Sequence, residues 1–113
     1  MAAAERPVYL QLRDRIAEAI LEGRYREGDM LPSVRAFAAE QGANPLTVAK
    51  AYQLFQEEGL VVVRRGVGMF VADGATRRLL ERERNAFLNE EWPRIRQVID
   101  RLQIDVSELF ARA

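Results

Sequence analysis

A chain of 113 residues, 49% hydrophobic and 30% charged, holds one small domain, or one domain with an appendage, and has enough apolar material for a core. It contains neither cysteine nor histidine, which excludes disulfides, thiolate nucleophiles, imidazole bases and most zinc sites. Its 17 basic residues balance 17 acidic ones, which argues against a generic polyanion binder and leaves room only for locally gathered positive charge.

The first residues, MAAAERP, lack an apolar signal core, and no run approaches the ~18–20 residues that span a bilayer. A cytoplasmic protein without membrane contact is expected. Pro7 opens a helical pattern with Val8, Leu12, Ile16 and Ile20 at four-residue spacing, widened by Tyr9 and Ala19 and stopped by Gly23. Arg13, Asp14, Glu18 and Glu22 are placed on its water-facing side. Arg24 to Asp29 reads as a polar turn, and Met30–Leu31 as a short extended piece before Pro32.

Ser33 has the chemistry of an N-cap for a second helix that turns Val34, Phe37 and Ala38 inward and ends at Gly42. Asn44-Pro45 starts a third: Asn caps, and Pro takes the first helical position without losing a needed hydrogen bond. Val48, Ala51, Tyr52 and Phe55 form its inner face, leaving Thr47, Lys50 and Gln53 outward, and Gly59 closes it. Small Ala38, Gly42 and apolar Val48 stand where a helix-turn-helix needs a close helix crossing, a left-handed helix end and a seat for its second helix. Leu60 to Val63 and Met69 to Val71 are β-branched or apolar runs separated by Arg64-Arg65-Gly66-Val67-Gly68, which has the composition of a hairpin tip. The expected fold is mainly α with a small β-hairpin: a winged helix-turn-helix over residues 7–73.

Gly74 marks the boundary of that module, and residues 75–113 are expected to form a helical dimerisation tail. Thr76 to Glu91 reads as a charged helix broken at Trp92-Pro93, because proline disfavours helix in the residue before it. Ile95, Val98, Ile99 and Leu102 then give the stripe of a second amphipathic helix, and Asp105 to Phe110 a short last one. Together with Leu80, Phe87, Leu88 and Trp92, that stripe is more apolar surface than a lone helix pair hides, so burial against a second copy of the chain is expected. A ligand pocket at Phe87 and Trp92 is the weaker reading, since two helices enclose little of the ~300 Å³ or more that a small molecule needs. Glu57-Glu58 and Glu90-Glu91 read as solvated helix ends, not as an acid/base pair. No catalytic residue, metal or cofactor is expected.

The elements LPSVRAFA, GANPLTVAKAY, EEGL and RRGVGMFV, in that order within residues 7–73, resemble the N-terminal DNA-binding domain of the GntR family of bacterial transcription regulators. The short tail with WPRIRQVIDRL resembles the YtrA-type subgroup; other subgroups carry a large effector-binding domain. The resemblance implies a homodimer on an inverted-repeat DNA operator, usually a repressor, and for the subgroup control of a nearby transporter operon. It implies DNA contacts by Ser33 and Arg35, by Asn44, Leu46, Thr47 and Lys50, and by Arg64, Arg65 and Gly66. Where many relatives have arginines within the recognition helix, this chain has Pro45, Leu46 and Ala49 around Thr47, so base reading rests on fewer polar groups, with Leu46 meeting a thymine methyl.

Each contact has a plainer reading beside it. Arg35 gains nothing from the helix dipole at its position, which favours a phosphate or guanine contact over pairing with Glu40 or Asp29. Asn44 is explained structurally as a cap, which leaves a DNA role for its side chain open, whereas Thr47 and the point charge of Lys50 suit phosphates. The arginine pair beside Gly66 suits a minor groove, against simple protection of an edge strand. A small-molecule effector is compatible with the chain, though no residue names one. The competing function is a winged helix used as a protein-interaction module, which predicts no salt-sensitive DNA binding.

Overall fold

The computed structural model describes residues 6–112; the N-terminal residues before Arg6, read above for a targeting signal, lie outside them, as does residue 113. The order of elements is α1 (Val8–Leu21), α2 (Val34–Gln41), α3 (Pro45–Glu57), β1 (Val61–Arg64), β2 (Gly68–Val71), α4 (Ala75–Ala86), a π-helical turn (Phe87–Glu91), α5 (Trp92–Leu102) and α6 (Val106–Ala111). The chain divides into two compact units, Met1–Leu80 and Glu81–Ala113.

In the first unit one core joins the three helices to the hairpin. Leu12, Ile16 and Ile20 of α1, Phe37 and Ala38 of α2, and Val48, Ala51, Tyr52 and Phe55 of α3 are buried together with Leu60, Val61, Val71, Ala75 and Leu79. Fully covering a side chain of this size is worth about 1.5–3 kcal/mol, so this shared core is what holds the helices at fixed angles. Val8 departs from the expected stripe: it sits in the first turn of α1 and is exposed.

Arg13 departs further. The α1 pattern puts it on the water side, yet it is buried, with its guanidinium over the Phe55 ring and against the Glu58 carboxylate. A charged residue next to an apolar stripe can be covered when a neighbouring helix end supplies the counter-charge. The spacing within α1 does not reveal that neighbour.

Strands β1 and β2 pair antiparallel, Val61 opposite Val71 and Arg64 opposite Gly68. The extended piece before Pro32 joins the sheet: Met30 bridges Phe70, and the Leu31 N–H donates to the Met69 carbonyl at 2.8 Å. The loop after α1 is tied down as well, since the Glu27 carboxylate accepts from the Gly74 N–H at 2.7 Å. Arg78 of α4 donates to the Gly59 and Asp73 carbonyls at 2.9 and 3.2 Å.

In the second unit, the break expected at Trp92-Pro93 is absent. The chain stays helical from the π turn into α5, with Pro93 in the first turn of α5. Proline lacks the N–H for an intrahelical bond and its ring crowds the carbonyl one turn earlier. The wider π turn relieves both, with the Trp92 N–H reaching back to the Phe87 carbonyl. Helix α5 ends at Gln103 in a left-handed conformation, and Asp105 caps α6 through the Ser107 N–H at 3.0 Å.

Candidate nucleic-acid interface

Local sequence fixes the junction between α2 and α3. The Ser33 hydroxyl accepts from the Ala36 N–H at 3.0 Å and starts α2. Gly42 ends it with φ 63° and ψ 35°, the left-handed region, so that the Ala43 N–H reaches the Ala38 carbonyl at 2.9 Å. Asn44 then caps α3, its Oδ1 accepting from the Leu46 N–H at 2.8 Å, and Pro45 opens the helix. The Tyr52 hydroxyl donates to the Pro32 carbonyl at 2.7 Å, and its ring packs 6.0 Å from that of Phe37. Burial pushes the Tyr52 phenol well above its ordinary value, with Tyr25 and Glu40 adding to the shift, so it remains a hydrogen-bond donor.

This frame leaves a distinct set of side chains in solvent. Leu46, in the first turn of α3, is 79% exposed. Ser33, Arg35 and Lys50 are exposed, and exposed Asn44 and half-buried Thr47 border a cleft of about 370 Å³ lined also by Val8, Gln11, Arg15 and Gln41. Arg35 makes no ion pair with Asp29 or Glu40. Its charge is therefore uncompensated by the partners that a plain surface arginine would use.

At the hairpin tip the Val67 N–H donates to the Arg64 carbonyl at 2.9 Å, with Gly66 at φ 78°, the left-handed backbone that the third residue of this turn needs. Arg65 and Gly66 are thus at the apex, and both are exposed. Arg64 is held differently. Its guanidinium lies 4.7 Å from the centroid of the ring of Phe70 on the paired strand.

Sequence reasoning missed the aromatic partners. Tyr9 of α1 lies under Lys50 of α3, the ammonium 4.0 Å from the ring centroid, and Phe70 lies under Arg64. Both pairs join residues on different elements, so helical or strand periodicity gives no sign of them. Of the expected dimerisation residues, Leu80, Phe87, Leu88, Trp92, Ile95, Val98 and Leu102 are exposed between 37% and 61%, whereas Ile99 is 8% exposed. Among the described residues no helix is long and apolar enough to cross a membrane, and no group of acidic residues is arranged to hold a metal.

Residues 8–71, more than half of the chain, match the family described as bacterial regulatory proteins, gntR family. The chain is 40% identical over 75 residues to the HTH-type transcriptional repressor YtrA of Bacillus subtilis, covering 66% of this chain and 58% of that protein. It thus spans a little over half the length of this relative. A transcriptional regulator from Oenococcus oeni superimposes with a TM-score of 0.73 at 32% identity, over 94% of this chain and 92% of that one. AraR(DBD) in complex with operator ORX1 superimposes with a TM-score of 0.57 at 27% identity, over 59% of this chain and 81% of that one.

Proposed function

The chain belongs to the gntR family of bacterial regulatory proteins, and from that premise we propose that it is a sequence-specific DNA-binding transcription regulator, a homodimer that represses from an inverted-repeat operator. The observation that carries the reading is the contrast at the α2–α3 junction. The inner faces of the two helices are sealed into the core, while Leu46, Lys50 and an Arg35 with no ion-pair partner among the described residues stand in solvent. An apolar side chain left outside beside uncompensated cations suits a surface that meets base edges and phosphates together.

In this proposal residues 7–73 bind DNA and 75–113 dimerise. The first turn of α3 enters the major groove, with Leu46 against a thymine methyl and Thr47 and Lys50 on phosphates. Asn44 serves first as a cap, its amide NH₂ remaining for DNA. Arg65 and Gly66 reach the minor groove, and Ser33 and Arg35 anchor the start of α2. Two copies joined through their tails place the half-sites about one helical turn apart. Repression is steric: the bound dimer excludes polymerase from a promoter in the cytoplasm, as at a transporter operon.

Selection from a random duplex pool at physiological salt, followed by sequencing, tests this. Enrichment of an inverted repeat is the expected result. Recovery of no motif by a folded sample, with no salt-dependent duplex binding, overturns it in favour of the protein-interaction reading.

A further inference from the structure

We propose that Tyr9, on α1 and outside the helix-turn-helix, is a positioning residue for DNA binding: its ring holds the Lys50 ammonium in the place from which it meets a phosphate. The inference rests on the DNA-binding reading above and extends it to a helix that carries none of the expected contacts.

Lys50 is the only lysine of the chain, on the solvent side of α3 one turn beyond Thr47. A free lysine there has a four-carbon stem with several rotatable bonds, and fixing it on a phosphate costs rotamer entropy. The Tyr9 ring removes much of that freedom beforehand, with the ammonium 4.0 Å from its centroid. The geometry suits a brace rather than a competitor. A ring face attracts the cation without neutralising it, and it occupies one side of the ammonium, leaving N–H donors for phosphate oxygens.

Tyr9 is itself fixed, because α1 is locked to α3 by Leu12, Ile16 and the Arg13–Glu58 pair. No hydrogen bond or ion pair of the Lys50 ammonium competes with the ring among the described residues. The chain holds a second exposed cation on a ring face, Arg64 over Phe70, where the stacking serves the wing's own strand pair.

The test is a double-mutant cycle on the selected duplex, read as affinity and as salt dependence. Tyr9→Leu should weaken binding about two- to fivefold, the exposed cation–π range, and leave the salt slope near that of the wild type because the charge is still present. Tyr9→Phe should bind like the wild type. Lys50→Gln should lower the slope by about one, and Tyr9→Leu should then cost nothing further in the Lys50→Gln background.

A second readout needs no DNA. Reductive ¹³C-methylation labels the lone lysine, whose signal should be shifted upfield by the ring in the wild type and return to the solvent position in Tyr9→Leu. The same loss with and without Lys50, a loss in Tyr9→Phe, or a lysine signal unmoved by Tyr9→Leu each overturns the proposal. Absence of salt-dependent duplex binding by the wild type overturns the functional reading itself, and the inference falls with it.

Discussion

The Arg13 guanidinium of α1 lies 3.4 Å from the Glu58 carboxylate that ends α3 and 5.5 Å from the centroid of the Phe55 ring. A cation thus lies between two helices whose mutual angle sets the presentation of the α3 first turn. Its side chain is only 11% exposed, so removing it leaves a carboxylate with a lost partner and an uncovered ring. Arg13→Ala should lower stability by about 1–3 kcal/mol in urea unfolding, and Arg13→Met by less, because the apolar stem still covers Phe55. Equal losses would assign the effect to charge alone.

Gly42 is the backbone hinge between α2 and α3, and a β-carbon there meets nothing within 4 Å. The cost of a side chain is consequently conformational and not steric. Gly42→Ala should destabilise by about 1–2 kcal/mol, and Gly42→Asn by less, since Asn visits the left-handed region more readily. A neutral Gly42→Ala in thermal unfolding would mean that the junction relaxes into another conformation.

What the sequence made legible follows a physical division. Caps and turn residues act on their own neighbours, so Ser33, Gly42, Asn44 and Gly66 announced their elements without tertiary information. Apolar periodicity likewise found the inner faces at Phe37, Ala38, Val48 and Phe55. The partners of charged residues were not legible. Arg13 is covered because α3 happens to end in Glu58 beside it, and Lys50 finds Tyr9 because α1 packs on α3. Pro93 misled for a related reason: its penalty is real, but a π turn just before it absorbs the penalty without ending the helix. The contact residues for DNA were reached through family resemblance, since exposure of Leu46 and freedom of Arg35 emerge only once the rest of the chain is packed.

The Glu27 carboxylate is held below its ordinary value of 4.5, first by the Gly74 N–H, against an opposing desolvation effect, with the Thr76 N–H and hydroxyl and the Arg78 charge also lowering it. A depressed folded-state pKa contributes stability that is present above the unfolded value and lost as pH falls through the folded one. The wild type should therefore exceed Glu27→Gln in stability at neutral pH, with the difference shrinking as pH falls below about 4.5. Denaturant midpoints of the two proteins between neutral pH and pH 3 check it, and a pH-independent gap would remove the carboxylate charge from the account.

Arg35 and Arg65 carry no protein partner among the described residues, whereas Arg64 is stacked on Phe70. If the first two reach DNA, Arg35→Ala and Arg65→Ala should each cost about 1–3 kcal/mol of operator binding, some 5- to 150-fold in Kd, with unfolding curves unchanged. Arg64→Ala should cost binding less and wing stability more, because the guanidinium also covers an aromatic ring. Fluorescence anisotropy with the selected duplex separates these cases. Wild-type affinity in both Arg35→Ala and Arg65→Ala would sink their assignment.

The tail poses the oligomer question through two residues of one helix. Leu102 is 61% exposed and Ile99 is 8% exposed, although both belong to the apolar stripe of α5. A charge at Ile99 would be forced into covered surface and would test folding of the tail. A charge at Leu102 enters water in the single chain and meets an obstacle only if a second copy covers it. If the proposed dimer forms through this stripe, Leu102→Asp should leave helix content intact while weakening it by about 1.5–3 kcal/mol, the value of burying one leucine. Sedimentation at micromolar concentration reads the change as a shift toward the monomer mass. The same variant should lose affinity for the full inverted repeat and keep its affinity for a single half-site, because the winged helix is untouched. A variant that stays as dimeric as the wild type would show that the Leu102 end of the stripe lies outside the contact between copies, and would move the search for that contact to Phe87, Leu88 and Trp92, which are exposed on the turn before α5 and at its start.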